Sequence, residues 1–343
     1  MKKNSPIYLF SFIFTLLTII LYRDFLYTYR MQIENFLPYY NYQNQILYYL
    51  TGDKKFDIEA PMNLRFLGLW FQYAIFKFVP CVQLTNINLV LNQDYICATF
   101  SNALMNYLSM TCFLSLLFVY TIKKLKFNLT IAFISLLLGY IFFNYLEAFT
   151  LDRISVFYLL LILYFLDNKN ICIILILLSC LVNEKIIIIF GIYFFIKILF
   201  YKEKKYFLHF LSSIISFTIA LSIFVFYSII LNNGYFGSDD PSGIYNTILS
   251  DGLVRLGNIF SYPKGITNAL IPIVFATSSY VYLFFTRNKK NSIEILIPLI
   301  LILIGMGGGT TNIGRYVMYS MPLWIPIMAV IIYQNIEKLI NIK

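Results

Sequence analysis

Charge is what this chain has least of. Only 12% of its 343 residues are charged, against roughly a quarter in a soluble domain, so a water-solvated globule is excluded. Histidine occurs once, His209, and tryptophan twice; a single imidazole with no nearby partner makes no zinc centre, and His209 reads as structural. Neither G-x-x-x-x-G-K-[ST] nor G-x-G-x-x-G occurs, which leaves no signature of a soluble nucleotide-binding module. The five cysteines, Cys81, Cys97, Cys112, Cys172 and Cys180, lack metal-ligand spacing, and most fall in apolar runs where a thiol packs as a small hydrophobe. They are read as carrying no information on redox compartment.

What the chain has instead is hydrocarbon. Hydrophobic residues make up 60% of it, with a mean hydropathy of +0.75, and apolar runs recur between short charged breaks. About 20 apolar residues cross a bilayer core as a helix. The expectation is an all-α membrane protein, a single polytopic domain over residues 1–343, with about ten spans. They are placed near Ile7 to Tyr22, Ile96 to Ile122, Leu129 to Tyr145, Leu151 to Leu166, Ile171 to Val182, Ile186 to Phe200, Phe207 to Leu231, Ile266 to Phe285, Ile293 to Met306 and Val317 to Tyr333. Met1-Lys2-Lys3 before the first run imitates a secretory signal, but no small-residue cleavage site follows, and the run is read as a retained span.

A net charge of +10 would suggest nucleic acid in a soluble protein; here its distribution makes it a topology signal, and no nucleic-acid partner is expected. Lys2-Lys3, Lys123-Lys124-Lys126, Lys169, Lys202-Lys204-Lys205, Arg287-Lys289-Lys290, Lys338 and Lys343 all fall on one side of the proposed spans. By the positive-inside rule that side is the cytoplasm, with both termini expected on it. Of the 16 acids, that side takes only Asp167, Glu203, Glu294 and Glu337. The outer side holds the two long loops, about 23–95 and 232–265, where both signs of charge meet and chemistry is expected. The stretch Leu64 to Val79 is apolar, yet counting it as a span would put every later lysine cluster outside. It is read as an amphipathic helix at the outer interface, with Arg65, Gln72 and Lys77 toward water or headgroups.

Ionisable residues near the outer ends of spans are the candidate site. Ile171 to Val182 rises only about 18 Å, so the turn Asn183-Glu184-Lys185 is expected to sit recessed, where paired or cavity-lining charges are functional candidates. Glu147, Asp152 and Arg153 occupy another outer turn; Thr310, Thr311, Asn312 and Arg315 follow Gly307-Gly308-Gly309 before the last span. An arginine binds phosphate through two parallel donors; the plainer alternative is snorkelling to headgroups. In the first long loop Asp24 stands against the end of a span, placed to act as general base on a hydroxyl, with Asp53, Asp57 and Glu59 as alternatives. Asp239-Asp240-Pro241-Ser242-Gly243 reads as a turn; an Asp-Asp pair can also take a divalent cation, and no other cofactor and no metal site are assigned.

The long outer loop, the Ala60-Pro61-x-x-x-Arg65-x-Leu67 stretch, Asp152-Arg153, the Asn183-Glu184 turn and Arg315-Tyr316 leading to Pro322 together resemble the polytopic GT-C-like membrane glycosyltransferases, and within them bacterial proteins of cell-surface glycopolymer synthesis. The resemblance implies transfer of a sugar from a polyprenyl-phosphate donor to a lipid-linked or surface glycan acceptor, by direct displacement with inversion. It implies Asp24 as base and Arg65, Arg153, Lys185 and Arg315 as phosphate-binding groups. Where such proteins often carry an acid before a Tyr-rich stretch, this chain has Asn41-Tyr42-Gln43-Asn44-Gln45 ahead of Tyr48-Tyr49, which keeps the alternative acids open. Two other readings compete: an O-antigen-type polysaccharide polymerase, for which Arg255 and Gly265 in the second loop would matter, and a lipid-linked oligosaccharide flippase or other transporter, which would need a polar vestibule on the inner face as well, and the inner segments offer none.

Overall fold

A computed structural model describes residues 6–34, 66–81, 93–145, 152–226, 270–286, 297, 299–301 and 317–341. Among them every regular element is helical. In chain order these are α1 (Pro6–Ile20), α2 (Tyr22–Glu34), α3 (Phe66–Phe78), α4 (Gln93–Lys123), α5 (Leu129–Tyr145), α6 (Asp152–Tyr164), α7 (Lys169–Leu178), α8 (Glu184–Leu199), α9 (Phe207–Phe226), α10 (Ile271–Thr286) and α11 (Met321–Asn341), with one-turn 3-10 segments at Ser179–Leu181 and Lys204–Tyr206. Among the described residues three stretches, 96–123, 204–223 and 321–340, are long and apolar enough to cross a membrane, and a fourth joins them if α1 and α2 count as one span bent by 48°.

Local chemistry sets several of the helix ends. Asparagine caps three N-termini: Asn128 Oδ1 accepts from Ile131 N at 2.8 Å, Asn168 Oδ1 from Ile171 N, and Asn183 Oδ1 from Lys185 N, each satisfying an amide with no partner inside its helix. At the other end of α4, Leu125 N closes back on Tyr120 O and Phe127 N on Thr121 O, while Lys126 takes a left-handed φ of 58° that stops the helix. Along α4 the hydroxyls of Ser101, Ser109, Thr111, Ser115 and Thr121 donate to carbonyls three or four residues back. A long helix thus places hydroxyls in apolar surroundings without leaving them orphaned.

α4 is the central post, with α1, α2, α3, α5 and α6 packed on it; α11 covers α5 and α10, and α9 covers α7 and α8. Phe113, Leu114, Leu117 and Phe118 of α4, Phe142 and Phe143 of α5, Leu159 and Leu160 of α6 and Trp324 of α11 are all buried to within 1%. The Phe142 ring meets Trp324 edge-on at 4.9 Å and Phe275 at 5.1 Å, a geometry that adds to simple area burial. Outside this core Ile7, Phe12, Ile19, Trp70 and Phe78 are at least 65% exposed, an apolar exterior that suits lipid rather than water.

Four expectations are corrected. Residues 23–34, read as the opening of a loop, belong to α2; Phe25 and Tyr29, one turn apart, bury against Phe100 and hold α2 on α4. Gln72, read as facing water, is fully buried: α3 lies along α4 through Leu69 and Ile75 against Met105, and the described 13 residues of α3 extend only about 20 Å. Cys81 and Cys97, read as uninformative, form a disulfide with Cα atoms 5.3 Å apart, tying the chain just after α3 to the first turns of α4. Cys172 and Cys180 are buried as small hydrophobes. Finally, the end of the bundle carrying Lys123 and Lys169 has a polar concavity, where none was expected.

Candidate functional site

Five chain segments meet at the end of the bundle opposite Lys123. α2 delivers Asp24 in its first turn. The C-terminal half of α5 delivers Tyr140, whose hydroxyl donates to Asp24 Oδ2 at 2.5 Å. α6 begins with Asp152 and Arg153, which are 0% and 5% exposed. The turn before α8 delivers Asn183 and Lys185, and the helical turn at 317–319 delivers Tyr319.

The buried part of this group is a hydrogen-bonded chain. Asn183 Nδ2 donates to Ser155 Oγ at 2.9 Å and to the Tyr319 hydroxyl at 3.4 Å; the Tyr319 hydroxyl in turn donates to Asp152 Oδ1. Lys185 Nζ lies over the Tyr319 ring, 4.9 Å from its centroid, and the Arg153 guanidinium lies 5.4 Å from the centre of Phe143. Arg153 also feels the Asp24 carboxylate and the Tyr140 hydroxyl, which joins the α2 and α5 groups to the α6 pair. Away from water, such charges persist when neighbours compensate them. Asp24 and Lys185 are only half-buried, so the assembly has a covered floor of Asp152, Ser155, Asn183 and Tyr319 and two partly open flanks.

The folding logic is local. Asn183 is extended, with φ −171° and ψ 130°, because it caps α8, and that geometry points its amide back at α6. α7 is only ten residues long and runs into the Ser179–Leu181 turn, which keeps Asn183 fully buried rather than at a surface.

Of the residues singled out from sequence, the fold brings together Asp24, Asp152, Arg153 and Lys185. Glu184 opens α8 beside them. Arg65, Glu147 and Arg315, the alternative acids Asp53, Asp57 and Glu59, the Asp239-Asp240 pair and Arg255 lie outside the described residues. Sequence reasoning missed Tyr140, Ser155 and Tyr319. A weak signal existed for Tyr140: it stands one helical turn before Asn144 near the end of an otherwise apolar run. Compared with models of known protein families, with curated proteins and with solved structures, the chain matches none.

Proposed function

We propose that the chain is a membrane glycosyltransferase of about ten spans that moves a sugar from a polyprenyl-phosphate donor to a lipid-linked or surface glycan acceptor on the outer face of a bacterial plasma membrane. The observation that carries this reading is the convergence of Asp24, Tyr140, Arg153 and Lys185 from four separate helices around one floor. A lipid phosphate brings its own leaving group, so the protein need only supply a base, positive charge and position. Asp24, half-buried and held by Tyr140, takes the proton of the acceptor hydroxyl as that oxygen attacks the anomeric carbon. The bond to the phosphate oxygen breaks with its electron pair staying on the phosphate, and the charge there is met by Lys185 from the flank and Arg153 from below. Asp152, covered and hydrogen-bonded by Tyr319, is a positioning residue.

The orientation is supported twice. Lysines concentrate on the side taken as cytoplasmic. The Cys81–Cys97 disulfide belongs to the other end, since Cys97 is in the first turns of the helix that finishes at Lys123, and disulfides persist in oxidising compartments outside the cytoplasm. The transporter reading is weaker despite the inner concavity: between the two ends, Phe113, Leu117, Phe118, Leu160, Ile162 and Leu163 pack at 3% exposure or less, an apolar seam across the middle of the bundle.

The test is transfer by purified protein in lipid vesicles, given a panel of polyprenyl-phosphate hexoses and lipid-linked glycan acceptors. Wild type is expected to form product and Asp24→Asn to lose about a thousandfold in rate with unchanged thermal unfolding. Full activity of Asp24→Asn, or loss of polymer only in Arg255→Ala, overturns this reading in favour of another base or of the polymerase.

A further inference from the structure

At the end of the bundle remote from Asp24, the ends of α4 and α6 and the starts of α1 and α7 border an open concavity of about 960 Å³. Among the described residues its wall carries four lysines, Lys123, Lys124, Lys126 and Lys169, against one carboxylate, Asp167. That carboxylate is already engaged by Lys124, whose Nζ lies 2.8 Å from Asp167 Oδ2 and 5.4 Å from the centre of the Tyr164 ring. Lys126 and Lys169 are exposed and form no salt bridge among the described residues. The backbone helps: α7 begins at Lys169 with no acid in its first turn, so its positive dipole end faces the same region, and the left-handed turn at Lys126 folds that residue back toward the cavity.

We infer that this cavity binds the phosphate headgroup of an anionic membrane phospholipid. A surplus of positive charge in a concavity between helix ends suits a phosphodiester. The lipid, rather than a soluble phosphate, is selected by the surroundings. Pro6 and Phe165 line the cavity, and the helices that start at its rim present Ile7 and Tyr8 of α1, 72% and 75% exposed, and Ile171 and Ile174 of α7, 38% and 56% exposed, along the outside of the bundle. A headgroup seated among the lysines therefore has apolar helix surface beside it for two acyl chains. The site lies beyond the far end of the 13-residue α6 from Asp152 and Arg153, about 20 Å away, so it concerns anchoring and orientation and does not depend on sugar transfer.

The experiment uses the full chain released from membranes containing phosphatidylglycerol and phosphatidylcholine, with retained lipid read by native mass spectrometry and affinity by titration of phosphatidylglycerol into nanodiscs. Wild type should retain phosphatidylglycerol in preference to phosphatidylcholine. The double variant Lys126→Gln with Lys169→Gln, which leaves the Lys124–Asp167 pair intact, should bind it roughly thirtyfold more weakly, and Lys202→Gln with Lys204→Gln, on another turn, should bind as wild type does. Equal retention by wild type and the Lys126/Lys169 variant overturns the inference. So does displacement of the lipid by millimolar inorganic phosphate or glycerol phosphate, which would assign the cavity to a soluble anion. Circular dichroism of the variants separates lost binding from lost folding, and the single variant Lys169→Gln, expected to lose about fivefold, gives a second reading if the double variant misfolds.

Discussion

At the start of α6, Asp152 and Arg153 are 0% and 5% exposed; three residues beyond its end, Asp167 has 82% of its side chain in the open and its partner Lys124 has 31%. Both ends hold a carboxylate and a cation, and they use them differently. Asp152 of the covered end is fixed by a hydrogen-bonded chain that runs through Tyr319 and Asn183 to Ser155, where each removed link leaves a polar group with no water to replace it. The open pair is a single contact in a high-dielectric setting, where formation and loss are nearly balanced. One helix therefore carries a covered hydrogen-bonded cluster at one end and an adaptable electrostatic surface at the other.

The sharpest way to break that contrast is to remove Asp152. Asp152→Ala strips the acceptor from the buried Tyr319 hydroxyl and is expected to cost about 2 kcal/mol of unfolding free energy, measured by denaturant titration in mixed micelles. Asp152→Asn, which keeps a carbonyl oxygen in place, should recover most of it. Equal loss in both variants would mean that the charge, not the hydrogen bond, holds Tyr319.

Much of the architecture could be read from composition because period and length dominate it. The apolar runs at 129–145 and 207 onward became helices at the expected starts, since nothing in those runs competes with helix formation. The burial of Asn183 goes with the short run before it. What escaped was decided by tertiary contact. α2 contains Arg23, Asp24 and Arg30 and looks like loop by hydropathy, but Phe25 and Tyr29 are spaced one turn apart and find Phe100 across the bundle. Gln72 looks solvent-facing until α3 lies down on α4. The Cys81–Cys97 contact spans 16 residues, and spacing alone does not distinguish a bridged pair from two separate thiols. Of the site, the charged members were visible, because ionisable groups are rare near span ends; Tyr140 and Tyr319 were hidden among 29 tyrosines.

Between the two ends, the helices approach closely at one glycine, and a second glycine offers a control of opposite sign. A Cβ added at Gly139 would lie 2.8 Å from Leu117 Cδ2 and 3.1 Å from Leu114 Cδ2, in the fully buried seam between α5 and α4. Gly139→Ala is expected to destabilise by about 1 kcal/mol through overpacking. At Gly191 in α8 an added Cβ meets no atom within 4 Å, so Gly191→Ala is expected to stabilise by roughly 0.5 to 1 kcal/mol through helix propensity. Both shifts are read from the same denaturant titrations. Stabilisation by Gly139→Ala would show that α4 and α5 are not held at the spacing that links Tyr140 to the rest of the site.

The smallest effect on stability is expected at Asp167, and it separates the two ends most cleanly. Asp167→Asn removes an ion pair whose carboxylate is mostly solvated, so unfolding free energy should change by less than about 0.5 kcal/mol, a quarter or less of the Asp152→Ala effect. A loss well above that would place the Lys124–Asp167 pair in the same covered class as Asp152 and erase the distinction between buried cluster and surface. The same substitution has a second, opposite reading: with the Asp167 carboxylate of its lining neutralised, the lysine cavity gains one net positive charge and should hold phosphatidylglycerol about fivefold more tightly. A stability-neutral variant that binds anionic lipid better is the signature of charges kept for a ligand, whereas a variant that leaves both quantities unchanged reduces the cavity to ordinary positive-inside charge.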